Sequence, residues 1–322
     1  MRALVTGAGG FLGQHVVDSL LARGHQVRAM LRPAAKISEG QWKGDVEVFR
    51  ADLRTSRELE RAFDDIDVLV HLAAQVTGGE DLQFAASVGG TERLLDAMSR
   101  SSCRKLVLAS SCSVYNFSAA RGILDEDSPL HEIPALYKRG GYTIAKWWQE
   151  RITRRMAEKQ GWDLTVLRPG FIWGRDHADL CALGQQLGKL QLVIGPSTRL
   201  PLTHVENCAD FFALVTSDPR ASGQTYNVFD GPGERIWPYL ADYLKGTGNS
   251  RLRIPVPYAL SLTVVRLADA TVFRKATKVP GILIPDTFQS WFKPLDFSAK
   301  RAREQLGWVP PLDYQECLKR TY

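Results

Sequence analysis

The sequence predicts an α/β fold: a doubly wound parallel sheet carrying a smaller, partly interleaved C-terminal region. Three observations predict it. Short apolar runs alternate with helical stretches through the first half of the chain, a glycine-rich turn joins the first run to the first helix, and the texture changes beyond Arg168. Near-continuous apolar runs separated by helices imply parallel strands covered on both faces, since strands buried on both sides carry no polar alternation.

The elements follow in order. Arg2–Thr6 reads as the first strand and Phe11–Arg23 as a helix with Leu12, Val16 and Leu20 on one face. Gln26–Leu31 and Val46–Arg50 read as the second and third strands, with Trp42-Lys43-Gly44-Asp45 as loop between them. Arg57–Phe63 is expected to be helical, Val68–Leu72 a buried strand, and Asp81–Arg100 a longer helix interrupted at Gly89-Gly90. Lys105–Ser110 is the fifth strand, Tyr142–Gln160 a helix and Leu164–Arg168 the sixth strand. Beyond it prolines crowd the chain, with a helix at Asn207–Thr216 and a strand at Tyr226–Phe229. Tyr258–Lys275 is amphipathic, with Leu260, Val264, Leu267 and Val272 interleaved with Arg266, Asp269 and Arg274. Such a stripe predicts a helix packed on its own domain, ahead of one facing a partner or a membrane. This half is expected to lie over the mouth of the sheet, where α/β proteins place ligands, with some segments returning to the sheet.

Composition narrows the class. A chain of 322 residues makes one large domain or two intimate ones. With 44% hydrophobic and 24% charged residues it has enough apolar surface to fold, which excludes a disordered chain. No apolar run approaches the ~20 residues of a membrane span, and the start lacks the apolar core of a signal peptide. Five cysteines without a CxxC pair point to reduced thiols and a cytoplasmic protein. The net charge of +6 is dispersed, so no nucleic-acid partner is expected. Six scattered histidines form no HxxxH pair, so no metal is expected either.

The strongest signal is Thr6-Gly7-Ala8-Gly9-Gly10-Phe11-Leu12-Gly13 between the first strand and helix. Gly7 permits a tight turn, Gly10 lets backbone approach a pyrophosphate, and Gly13 lets helix pack on sheet; the phosphates then meet free N–H groups at the helix start. A second strand serving NAD ends on an acid for the ribose hydroxyls. Here none occurs between Asp18 and Glu39; Leu31 takes that place, among Arg28, Arg32 and Lys36. Cations suit a 2′-phosphate, so NADP(H) is the expected cofactor, with NAD(H) second.

The GxxGxxG spacing behind Thr6 resembles the short-chain dehydrogenase/reductase superfamily. Arg168-Pro169, His204-Val205 and Leu306-Gly307-Trp308-x-Pro310 resemble its extended branch, the NAD-dependent epimerase/dehydratase family, and the pattern is nearest to dihydroflavonol-reductase-like and 3β-hydroxysteroid-dehydrogenase-like members. The resemblance implies a Rossmann-type cofactor domain over residues 1–172 and a substrate region over 173–322. It also implies adenine contacts from Asp52 and Leu53, and a cofactor lining from Leu72, Ala73 and Ala74. Ser87 stands where the family's Asn-x-x-Gly-Thr helix has Asn.

Of nine tyrosines, Tyr142 alone has a lysine four residues on, Lys146, and on a helix that spacing stacks both on one face. A phenol near pKa ~10 is a poor base at neutral pH without a neighbouring ammonium. The resemblance makes Tyr142 the general acid/base, gives Lys146 the phenol and the nicotinamide ribose, and selects Ser111, three before Val114-Tyr115, as the third member. Ser113, Phe171 and Trp173 are the expected substrate contacts, and Cys112 is expected to be structural. Sugar-nucleotide members place Asn and Arg where Phe171 and Leu200 stand, with Arg199 one position out, so the substrate is expected to be a small apolar or aromatic ketone or secondary alcohol. The alternatives are a nucleotide-sugar epimerase and a non-catalytic dinucleotide-binding module. The family's pairing through helices after strands four and five allows a homodimer; Trp147 and Trp148 read equally as contributors to it and as core of their own chain.

Overall fold

The computed structural model describes residues 1–36, 42, 46–133, 140–273 and 279–322. The predicted loop residues 43–45 and the end of the predicted helix at 274–275 lie outside them. The first half holds β1 (Arg2–Thr6), α1 (Phe11–Ala22), β2 (Gln26–Leu31), β3 (Val46–Arg50), β4 (Val68–His71), α2 (Glu80–Phe84), α3 (Gly90–Ser99) and β5 (Lys105–Ala109). Then come β6 (Ile123–Leu124), α4 (Gly141–Gln160), β7 (Asp163–Pro169) and β8 (Phe171–Trp173). The rest is β9 (Gln185–Leu187), β10 (Leu190–Ile194), β11 (Leu202–His204), α5 (Val205–Ser217), β12 (Thr225–Val228), α6 (Ile236–Gly246) and β13 (Leu252–Val256). It closes with α7 (Tyr258–Ala270), α8 (Pro285–Phe292), β14 (Asp296–Phe297), α9 (Lys300–Leu306) and α10 (Tyr314–Thr321).

Seven strands form one parallel sheet in the order β3-β2-β1-β4-β5-β7-β12. The order reverses between β1 and β4, and a crevice opens there beyond the strand ends. Period-two alternation feeds two cores. Ala3, Val5, Val68, Val70 and Val107 face α1 and α5, while Leu4, Leu69, Leu106 and Leu108 face α3 and α4. The seventh strand, β12, comes from the later half and pairs with β7.

Two predicted helices differ. Asp81–Arg100 is α2, a π-helical turn over Ala85–Gly89, and α3. Gly89 and Gly90 keep helical dihedrals, so the glycines do not break the helix. The wide turn lies where Ser87 Oγ receives the Gln75 N–H (2.9 Å) and the Ser87 carbonyl accepts from Thr91 (2.5 Å). Arg57–Phe63 shortens to a 3₁₀ turn over Leu59–Phe63.

α7 packs on its own domain as expected, but through a face other than the stripe that predicted it. Leu260, Val264 and Leu267 are exposed, as is Val272 beyond the helix end. A second stripe, Tyr258, Leu262 and Val265, turns inward to the core that includes Phe288 of α8. Spacing identifies an apolar face but not which of two apolar faces is covered.

Candidate active site

The glycine turn is built as its sequence requires. Gly7 has φ +74°, and a Cβ there would meet the Ala73 nitrogen at 2.9 Å; a Cβ on Gly13 would strike the Gly7 carbonyl. The Gly10 N–H closes the turn on the Gly7 carbonyl at 2.9 Å. α1 then starts without a side-chain cap or an acid in its first turn. The N–H groups at Phe11 and Leu12 have no partner within the helix, a cradle that fits the diphosphate of a dinucleotide. His177, from the loop after β8, stacks on the Phe11 ring at 3.8 Å; no sequence signal singled it out.

A cleft of about 1210 Å³ runs from this turn, lined at one end by Leu31, Arg32, Asp52, Leu53 and Arg54 and along its floor by Thr6, Leu72, Ala73 and Ala74. Arg32 donates to Gln75 Oε1 (2.9 Å), and Arg50 holds the loop after β2 through the carbonyls of Pro33 (3.1 Å) and Ala35 (2.9 Å). Asp52 pairs with Arg54 at 2.7 Å, and mainly that hydrogen bond holds its carboxyl down to about 2. Arg28 is a correction. It is buried under β2, paired with Glu47 (2.8 Å) and donating to the carbonyls of Ala62 (2.9 Å) and Asp64 (2.8 Å), so it cannot reach a 2′-phosphate. Lys36 does not line the cleft.

At the inner end Ser111 follows β5 and Tyr142 opens α4, with Lys146 one turn on. Ser111 and Tyr142 both line this end of the cleft, and the Ser111 hydroxyl accepts the Ser113 N–H at 3.1 Å. Burial pushes the Tyr142 phenol up to about 12. Lys146 Nζ donates to the Ala109 carbonyl (2.7 Å) and to Gln149 Oε1 (2.8 Å). Burial pulls its ammonium down to about 7, against the opposing charge of Glu150.

Two buried networks stand behind this pair. In one, Gln149 Nε2 meets His71 Nε2 (3.1 Å) and the Ala73 carbonyl (3.1 Å), and His71 Nδ1 meets Thr6 Oγ1 at 2.6 Å. The strand before the glycine turn is thereby tied to Lys146. His71 stays neutral, pulled to about 3 chiefly by burial and next by the Lys146 charge. In the other, Glu150 accepts from Ser110 Oγ (2.5 Å) and Arg168 (2.6 Å), and Arg168 donates to the Tyr115 hydroxyl at 3.0 Å. Burial alone would raise the Glu150 carboxyl, but Arg168, with Arg154 and Ser110, holds it at about 2. Gln149 and Glu150 carry no motif by themselves; only their spacing of three and four from Lys146 put them on its side of α4.

The outer end is apolar, with Phe117, Phe171, Ile172, Pro201 and Trp291 in the lining and Ser113 beside Ser111. Among the described residues Ser113 Oγ finds no partner. Trp173 is a second correction: it is fully buried behind the wall, edge-on to His204 (5.2 Å) and Tyr239 (5.5 Å), sharing a face of β8 with half-buried Phe171 but lying deeper in the core. Leu200 is buried, and Arg199 is held by Asp296 (3.0 Å) and the Gly233 carbonyl (2.8 Å). Neither Arg199 nor Arg175 lines the cleft. Trp147 is also turned inward, its Nε1 donating to the His131 carbonyl at 2.9 Å. Among the described residues no group of His, Cys, Asp or Glu could hold a metal ion, and no helix is long and apolar enough to cross a membrane.

Comparison with known proteins agrees with this geometry. The chain is 27% identical over 348 residues to a 3β-hydroxysteroid-dehydrogenase/decarboxylase (isoform 2) of Arabidopsis thaliana, an alignment covering 99% of this chain and 61% of that protein. It is 28% identical over 334 residues to a 3β-hydroxysteroid dehydrogenase/Δ5→4-isomerase of Mycobacterium tuberculosis, covering 98% and 88%. Its fold matches UDP-glucose 4-epimerases of Thermus thermophilus, solved with NAD (TM-score 0.70, 22% identity, 100% and 97% covered), and Thermotoga maritima (TM-score 0.72, 20% identity, 100% and 97% covered). Residues 3–228 match the model of the NAD dependent epimerase/dehydratase family. With the glycine cradle, the reversed sheet order and this match in hand, the chain belongs to the NAD-dependent epimerase/dehydratase family, the extended short-chain dehydrogenases/reductases, and is an NAD(P)-dependent enzyme.

Proposed function

We propose that the protein is an NADP(H)-dependent oxidoreductase interconverting an apolar ketone and its secondary alcohol, with Ser111, Tyr142 and Lys146 as its catalytic residues. The observation that carries this reading is that one cleft brings Ser111, Tyr142 and Lys146 together with the glycine turn and an apolar outer wall. Residues 1–172 would bind the cofactor and 173–322 shape the substrate site. A bound nicotinamide supplies or accepts the hydride. Ser111 holds the substrate oxygen, and Tyr142, protonated at neutral pH because burial lifts its phenol, gives that oxygen a proton in the reductive direction. Lys146 binds the ribose and, when charged, favours the phenolate needed for oxidation. Arg32, at the end lined by the expected adenine contacts Asp52 and Leu53, supplies a cation for the 2′-phosphate.

The relatives named for 3β-hydroxysteroids make a fused alicyclic ketone the first substrate to test. The epimerase reading has the structural neighbours in its favour, but Arg199 is already engaged and Phe171 offers no donor, so a sugar-linked diphosphate would lose charge-assisted bonds it makes in water. Turnover of alicyclic and aromatic ketones under NADPH, beside UDP-, dTDP- and GDP-sugars, separates the two. Ketone reduction is expected, and Tyr142→Phe should lower it by ~10²–10⁴ with cofactor affinity retained. Epimerisation of a nucleotide sugar, or full turnover in Tyr142→Phe, would overturn the reading.

A further inference from the structure

Gln149 belongs to no motif, yet its buried amide joins Lys146 to the floor of the cleft. On one side Oε1 takes an N–H of Lys146 Nζ at 2.8 Å. On the other, Nε2 lies 3.1 Å from the Ala73 carbonyl, 2.9 Å from Thr91 Oγ1 and 3.1 Å from His71 Nε2.

The hydrogens of this cluster follow from the groups that can only donate or only accept. An ammonium only donates, so Gln149 must turn its oxygen to Lys146 and its two N–H groups to the floor. A carbonyl only accepts, so the one hydroxyl hydrogen of Thr91 goes back along the helix to the Ser87 carbonyl (2.5 Å). Thr91 Oγ1 is then an acceptor towards everything else that meets it. It takes one N–H of Gln149, whose other N–H goes to the Ala73 carbonyl, and it takes the Nε2 hydrogen of His71 at 2.8 Å. A neutral imidazole with its proton on Nε2 accepts at Nδ1, here from the Thr6 hydroxyl at 2.6 Å. Every polar hydrogen of Gln149 is thereby used. Flipping the amide would set N–H groups against the ammonium and an oxygen against the Ala73 carbonyl, so its orientation is locked. Of the three N–H groups on Lys146, the Ala109 carbonyl (2.7 Å) and Gln149 take two among the described residues, and the third is left where Lys146 lines the cleft.

We propose that Gln149 is a positioning residue for Lys146: its amide, locked by Ala73, Thr91 and His71, aims the remaining ammonium N–H at the nicotinamide ribose of the cofactor. The ribose contact rests on the function proposed above, whereas the assignment of hydrogens does not.

Two measurements test it. In nitrogen NMR spectra of the full chain without cofactor, His71, identified by the signal missing from His71→Gln, should carry its proton on Nε2 alone. A proton on Nδ1 would overturn the assignment and the proposal with it. In calorimetry, Gln149→Met should weaken the dinucleotide, NADPH or NADH, whichever the parent chain binds tighter, by about tenfold or more. The adenosine half of that dinucleotide, which lacks the nicotinamide ribose, should bind as before. In a Lys146→Met background the same change should cost nothing further, because it acts through the lysine. An equal loss for the adenosine half, or an additive loss in the double variant, would make Gln149 merely structural and overturn the proposal. If Gln149→Met alone binds the dinucleotide as the parent does, the proposal falls and the ribose reading of Lys146 stands. If Lys146→Met also does, that reading falls too.

Discussion

The two ends of the cleft hold their charges in opposite ways. Behind Ser111 and Tyr142, Lys146, Glu150 and Arg168 are buried, and each is met by partners within 3 Å supplied by strands and helices. Near the other end, Arg50 and Arg54 sit at the surface, Arg50 on carbonyls of the loop after β2 and Arg54 on Asp52 two residues away. Water and salt weaken the second set, whereas the first sits in a medium that magnifies both attraction and its loss. The inner end is therefore rigid and costly to disturb, and the outer end can be retuned at little cost to the fold.

Three substitutions can break or sharpen that contrast. The largest effect is expected from Glu150→Ala, which leaves Arg168 buried beside an empty place; removing one partner of a buried pair costs about 3–5 kcal/mol. Urea unfolding would check it, and a loss below about 1 kcal/mol would show that the inner network is no stiffer than a surface pair.

Next comes pH. Lys146 titrates near 7 in the folded chain against 10.5 when unfolded. Between those values the unfolded chain binds more protons, so stability should rise with pH across that window, by at most about 1.4 kcal/mol per pH unit from this group. Lys146→Met should flatten that part of the curve. An equally steep curve in the variant would place the titrating group elsewhere.

The smallest structural effect is expected at the outer end. Arg32→Asp should leave Tm nearly unchanged, yet weaken NADPH by more than about tenfold and invert the preference over NADH, since one charge-assisted bond contributes ~1.5–3 kcal/mol. The loss should shrink with added salt, unlike that of Glu150→Ala. Fluorescence titration giving equal affinities for the two cofactors in the parent chain would remove Arg32 from that role.

Much of this architecture was legible in the residues themselves. Apolar runs at strand length, the GxxGxxG turn and the Tyr142–Lys146 spacing are local signals, because period and steric tolerance are written into neighbouring residues. Gly7 could be read this way from the positive φ its turn requires, and Gly13 because a Cβ there collides with the Gly7 carbonyl of the same turn. What tertiary structure decided was everything that depends on which surface meets which. Arg28 looked like a ligand for phosphate until Glu47 and the carbonyls of Ala62 and Asp64 enclosed it. Trp173 looked like a wall of the cleft until the pairing of β8 with β11 set it behind that wall. Gln149 and Glu150 had no visible role until His71, Ser110 and Arg168 came to them from three strand ends. The outer stripe of α7 read as core until Tyr258, Leu262 and Val265 took the inward place. A sequence specifies what each side chain can do within a turn or a strand, but partners far along the chain decide whether a cation is free, an aromatic is reachable or an apolar face is covered.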